Sequence, residues 1–162
     1  MTINKEIEFN NIVNDILKNE EFIELKYELH HGISRLDHSL NVAHLTYDMA
    51  KRFNVKEYEA ITRAALLHDF FKSDDVPENS FVKHPQVAVK NAKDNFDLNK
   101  MQENIIEKHM FPFCVGIPKN VGGWLVSLAD KMVALREVAK YKIPLTFGSI
   151  MIFIINYCYM QR

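Results

Sequence analysis

An all-α helical bundle is the fold class this sequence predicts, and three observations predict it. Apolar residues recur at three- and four-residue steps through most of the chain. Alternating runs flanked by Asn-Gly or Asp-Gly are absent, so strands are not expected. Turn-rich polar stretches, above all 73–80, separate the periodic segments. At 162 residues the chain fits one compact domain spanning 1–162. Its 48% hydrophobic and 25% charged content excludes disordered and fibrous classes.

In chain order, Ile3, Ile7, Ile12, Ile16 and Leu17 mark a first amphipathic helix, which His31-Gly32 interrupts. Ser34 is the N-cap of a second, whose apolar face reads Leu36, Leu40, Ala43, Tyr47, Ala50 and Phe53. A third covers 56–69 and ends at His68-Asp69. After the 73–80 loop, His84-Pro85 opens another helix, proline being tolerated in a first turn. A further helix runs over 101–109, and Phe111-Pro112 with Gly116-Ile117-Pro118 forms a loop. A long helix follows over 121–140. The segment 143–160 is almost uncharged, but Pro144, Gly148, Ser149 and Asn156 interrupt it. A membrane span needs about 20 apolar residues, so 144–160 is expected to be an apolar helix packed on the domain, without membrane association. Phe111, Phe113 and Trp124 are expected in the core.

Six side chains of metal-ligand type stand out: His38, the adjacent pair His68-Asp69, His84, His109 and Asp130. The elements above place them at helix ends and on separate helices, which is how bundles assemble metal sites in their cores. Six donors exceed the need of one structural ion. They suit two ions sharing a carboxylate, with Asp69 as the natural bridge. Asp130 sits among Leu128, Ala129, Met132 and Val133, where an unpartnered carboxylate is costly. His44 lies six residues after His38, about 240° round the helix, and is expected to face elsewhere.

The order of these residues resembles the HD superfamily of metal-dependent phosphohydrolases. Residues 36–43, 63–72 and 127–131 look like its first-histidine helix, central His-Asp motif and closing aspartate helix. The resemblance covers about 35–131. It implies an HD-type bundle in which His38, His68, Asp69 and Asp130 hold one divalent ion. His84 and His109, with Asp69 bridging, would hold the second, as in the subset containing the HD-GYP phosphodiesterases and the HD-type diadenosine tetraphosphate hydrolases. No Gly-Tyr-Pro segment follows His109, where the chain reads Met110-Phe111-Pro112-Phe113, so cyclic-di-nucleotide hydrolysis is not implied.

The implied activity is hydrolysis of a phosphate ester or anhydride of a nucleotide-like small molecule by a hydroxide bridging the ions. Fe, Mn, Co or Zn suits the mixed N/O donors, with Mg a further candidate. Lys72, after the His-Asp pair, and Arg35, one turn before His38, are the expected catalytic and phosphate-binding cations, and His31 is a further substrate contact. The alternative function is a metal-containing nucleotide sensor or scaffold without turnover. Twenty basic against 21 acidic residues leave no basic excess to suggest a nucleic-acid partner. Cys114 and Cys158 lack metal or disulfide spacing, and the charged N-terminal stretch lacks a signal-peptide core, so a cytoplasmic location is expected.

Overall fold

The computed structural model describes the backbone of residues 3–30, 32–76 and 83–160, and the side chains of these except His30 and 141–160. Among the described residues the helices are α1 (Ile3–Val13), α2 (Glu20–Ile23), α3 (Arg35–Arg52), α4 (Tyr58–Leu67), α5 (His84–Asn95), α6 (Lys100–Lys108) and α7 (Val121–Met160). The all-α expectation holds.

Local chemistry sets several of the helix starts. Ser34 caps α3 by accepting from the Asp37 amide at 3.0 Å. Asn99 and Gln102 form a reciprocal capping box at the start of α6, with bonds of 2.9 and 3.0 Å. Pro85 occupies the first turn of α5, where its missing N–H has no intrahelical partner to lose.

The core forms where α3 packs on α4 and α7, with α6 closing against α4 and α5. Val42, Ala43 and Tyr47 of α3 meet Ile61, Ala65 and Leu66 of α4, Ile105 and Ile106 of α6, and Val126 and Ala129 of α7. Small residues on α4 and α7 let the backbones approach. Arg63 fastens α4 to the end of α1, donating to the Ile12 carbonyl at 2.8 Å and to both Asp15 oxygens at 2.5 and 2.7 Å.

The structure departs from the sequence expectations in four places. The first predicted helix stops at Val13, and its continuation breaks into the short helix α2 and single 3₁₀ turns. Two two-residue strands, β1 (Leu29–His30) and β2 (Ile33–Ser34), pair antiparallel ahead of α3; they are too short to leave a periodic signal. The break expected near Pro144 does not occur, because α7 runs continuously for 40 residues. The proposed packing of 144–160 on the domain concerns side chains outside the described residues. Phe113 and Trp124, expected in the core, are 66% and 48% exposed, because the loop after α6 and one face of α7 lie on the surface. No helix is long and apolar enough to cross a membrane among the described residues.

Two predictions follow from this packing. A Cβ built on Gly122 meets Ile61 Cγ1 at 2.6 Å and Ile105 Cδ1 at 2.8 Å. Gly122→Ala gains about 1 kcal/mol of helix propensity but overpacks the α4–α6–α7 junction at a cost of about 1–3 kcal/mol. A net loss of about 1 kcal/mol in urea denaturation is expected; a stabilised variant would contradict the close approach.

The second concerns Glu8, which accepts from Lys51 at 2.7 Å, Tyr58 at 2.8 Å and Tyr47 at 2.9 Å, tying α1 to α3 and α4. The Lys51 hydrogen bond, followed by those from the tyrosines, lowers its carboxyl from 4.5 to about 2. A depressed folded-state pKa gives stability that is present above 4.5 and lost as pH falls toward 2. Glu8→Gln is therefore expected to flatten the stability–pH curve across that window, as read from denaturation midpoints.

Candidate metal centre

Two helix ends build the middle of the site in the same way. His68 follows α4 and His109 follows α6, each at the position that caps its helix. His68 Nδ1 bonds the Ala65 carbonyl at 2.8 Å, and His109 Nδ1 bonds the Ile106 carbonyl at 2.7 Å. A carbonyl only accepts, so Nδ1 carries a proton in both rings and Nε2 is the nitrogen left to face the cluster. The same bonds satisfy carbonyls that a helix end otherwise leaves without partners. Helix termination and ligand orientation are thus one event.

The other members converge on these two rings. Asp69 Oδ1 lies 3.3 Å from His84 Nε2 and 3.5 Å from His109 Nε2. Its Oδ2 lies 3.9 Å from His68 Nε2 and 3.6 Å from Arg35. The two oxygens therefore face different halves of the cluster. On one half, His84 and His109 bring their Nε2 atoms to 3.0 Å. On the other, Asp130 Oδ1 lies 3.2 Å from His38 Nε2 and 3.7 Å from His68 Nε2. All six side chains proposed from the sequence are gathered, and all are buried or nearly so.

The donor set fits a divalent metal. His38, His68 and Asp130, and separately His68, Asp69 and His109, each place one donor atom within 4.8 Å of the others. Imidazole donors sharing one ion at about 2.0–2.1 Å stand roughly 3–3.5 Å apart, close to the spacing of His84 and His109. His68 Nε2 is buried and makes no hydrogen bond. A buried ring nitrogen that faces two carboxylates and bonds neither is poorly satisfied by protein alone, and a cation between them satisfies all three.

The electrostatics point the same way. Burial pushes Asp69 up, but the imidazoles of His68, His84 and His109 overcome it and hold the carboxyl well below its usual range. Asp130 is likewise raised by burial and held well below its usual range by His38 and His68. Burial, reinforced by His68, pushes His109 down to about 3. At neutral pH the centre thus offers two anionic carboxylates and a neutral His109, as metal binding requires. At His38 burial is outweighed by the Asp130 and Glu137 hydrogen bonds, which raise it to about 9, so a metal there displaces a proton.

The remaining predicted residues lie as follows. Arg35 is buried beside Asp69, its guanidinium stacked 3.9 Å above the Phe71 ring, which itself stacks on His84. Lys72 is half-exposed and its ammonium is held by Glu24 at 2.5 Å, so contact with a ligand at the centre requires that pair to open. His31 lies outside the described residues. His44 stacks on Phe9 at 3.7 Å, facing α1 as its helical angle indicates.

Two neighbours escaped the sequence reading. Glu137 accepts from His38 Nδ1 at 2.8 Å, and the Lys131 ammonium donates to the His109 carbonyl at 2.6 Å and to Asp130 Oδ2 at 3.1 Å. Glu137 lies seven residues after Asp130, two helical turns along the same face, and that spacing was the available signal.

Comparison with known proteins agrees with this geometry. Residues 35–135 match the HD domain family. Over 116 residues, 72% of this chain, the sequence is 32% identical to ribonuclease Y from two strains of Ureaplasma parvum serovar 3. The match takes in only 23% of those relatives, so the chain corresponds to about a quarter of their length. No solved structure gives a significant match. Histidines that end α4 and α6 around a shared buried aspartate therefore stand within a matched segment covering most of the chain, which belongs to the HD domain family of metal-dependent phosphohydrolases.

Proposed function

We propose that the chain cleaves a phosphate ester or anhydride of a nucleotide-like substrate at the cluster around Asp69. The observation that carries this reading is the convergence of buried imidazole nitrogens and carboxylates from α3 to α7, with His68 Nε2 left without a hydrogen bond. In this reading His38, His68, Asp69 and Asp130 would hold one divalent ion, and His84 and His109, with Asp69 shared, would hold a second. Fe, Mn, Co or Zn suits these donors, with Mg a further candidate. Such ions supply Lewis acidity to a phosphoryl group and lower the pKa of a water.

The protein's own groups orient and exclude. Carbonyl-bonded rings of His68 and His109 cannot turn without breaking their Nδ1 bonds. Phe71 covers His84 and Arg35 from one side and shields them from water. Arg35, next to Asp69 Oδ2, is placed to meet a phosphoryl oxygen. Lys72 lines a cleft of about 250 Å³ with Phe70, Phe71, Asp75 and Asn91, from which it reaches a substrate once released from Glu24.

A second substrate reading is favoured by one observation. The relatives that align over most of this chain are named ribonuclease Y, which brings an RNA phosphodiester into consideration beside a small nucleotide.

Two measurements test the proposal. Mn²⁺ at a hundredfold excess over its dissociation constant is expected to stabilise chelator-stripped protein by about 2.7 kcal/mol, a rise of roughly 5–10 °C in Tm for a domain of this size. Turnover of bis(4-nitrophenyl) phosphate, nucleotides and a short RNA is then compared for the wild type, His68→Ala and Asp69→Asn. Loss of a ligand is expected to lower turnover by more than about a hundredfold, beyond the usual effect of losing an outer partner. Nucleotide binding without turnover would establish the sensor alternative, and preference for RNA the second reading. Protein that neither takes up metal nor hydrolyses any of these substrates would overturn the proposal.

A further inference from the structure

We infer that Glu137 is a positioning residue for the metal centre: through Nδ1 it holds His38 so that Nε2 faces the donors of Asp130 and His68. This rests on the reading of the cluster as a metal site. It concerns a residue beyond the segment that matches the family, which ends at 135.

The three histidines on the α3, α4 and α6 side of the cluster pose one problem and solve it in two ways. Each must present Nε2 inward, so each needs an acceptor for its Nδ1 proton. His68 and His109 follow helix ends, where free carbonyls of Ala65 and Ile106 serve. His38 lies inside α3, where the main-chain carbonyls are already engaged in the helix. Its Nδ1 instead meets Glu137 Oε2 at 2.8 Å, while Nε2 meets Asp130 Oδ1 at 3.2 Å. Glu137 does for a mid-helix ligand what the backbone does for the other two.

The placement of Glu137 supports this role over a general tie between helices. Its side chain is only 6% exposed, and a carboxylate so buried must be partnered. The Asn41 amide donates to Oε1 at 3.2 Å, leaving Oε2 directed at His38. Asn41 is one turn beyond His38 on α3, and Glu137 two turns beyond Asp130 on α7. The two helices that carry the ligand pair therefore also carry its support. A carboxylate, unlike a carbonyl, bears a full charge and raises the basicity of the imidazole as a ligand.

The test compares wild type, Glu137→Gln and Glu137→Ala, each stripped with chelator and titrated with Mn²⁺ in a calorimeter. Gln keeps the shape and an acceptor but not the charge; Ala removes both. Affinity is expected to fall about tenfold in the Gln variant and up to about a hundredfold in the Ala variant. In zinc-loaded protein, the slowly exchanging Nδ1 proton of His38 should be visible by ¹H–¹⁵N NMR in wild type and lost in Glu137→Ala. A merely structural role would lower the melting temperature while leaving Mn²⁺ affinity and the His38 resonance unchanged, and that result overturns the inference. If the Ala variant does not fold, Glu137→Gln decides alone: unchanged affinity overturns the inference and a tenfold loss supports it. Wild-type protein that takes up no metal would instead overturn the reading of the site itself.

Discussion

The protein is organised around one costly act, the burial of Asp69. A carboxylate removed from water is tolerated only when neighbouring groups replace its solvation. Here those groups come from elements far apart in the chain: His68 beside it, His84 opening α5, His109 closing α6 and Arg35 opening α3. Asp69 can stay ionised inside the bundle only if these helices meet. The packing of α3 on α4 and of α6 on α4 and α5 is what brings them together. Fold and site are two descriptions of one arrangement.

That arrangement uses helix termini economically. A helix that ends inside a protein leaves carbonyls without partners, which is ordinarily a liability in a core. At His68 and His109 the liability becomes the means of ring orientation, because the last carbonyls take the Nδ1 protons. The rings are then fixed by the same hydrogen-bonding demand that ends the helix.

Much of this was legible in the sequence, and the limits were physical. The amphipathic periods located the main helices, and the ordered histidines and aspartates drew attention to the residues that the fold gathers. Glu137 was not legible because a glutamate in a charged helical stretch ordinarily reads as solvated surface; only the crossing of α3 and α7 buries it. Lys131 also read as solvated surface, and only the approach of α7 to the end of α6 brings its ammonium to the His109 carbonyl. The β1–β2 pair was invisible because two residues per strand carry no period. The uninterrupted path of α7 past Pro144 ran against a strong local preference of proline, which removes one intrahelical hydrogen bond. Exposure of Phe113 and Trp124 reflects where a loop and a helix face lie, which residue type alone does not determine.

The charge around the centre links these features to substrate choice. Asp69, Asp130 and Glu137 supply three carboxylates, and Arg35 and Lys131 lie beside Asp69 and Asp130 as cations. These five charges sum to one negative. The His38 imidazole, lowered by burial but raised to about 9 by Asp130 and Glu137, offsets it while protonated, and the set is net anionic once that proton is displaced. One divalent ion reverses the sign, and two leave a strong positive excess that an anionic phosphoryl group can offset. Placing an acidic cluster so deep makes sense for anion chemistry only if cations complete it. Glu137 sharpens this point, because it adds negative charge to the centre and yet sits behind His38, where it supports a ligand without facing the substrate. In the proposed function, metal loading and substrate affinity are therefore coupled through the sign of the local field, and the protein's acidic residues favour phosphate binding only in the loaded state.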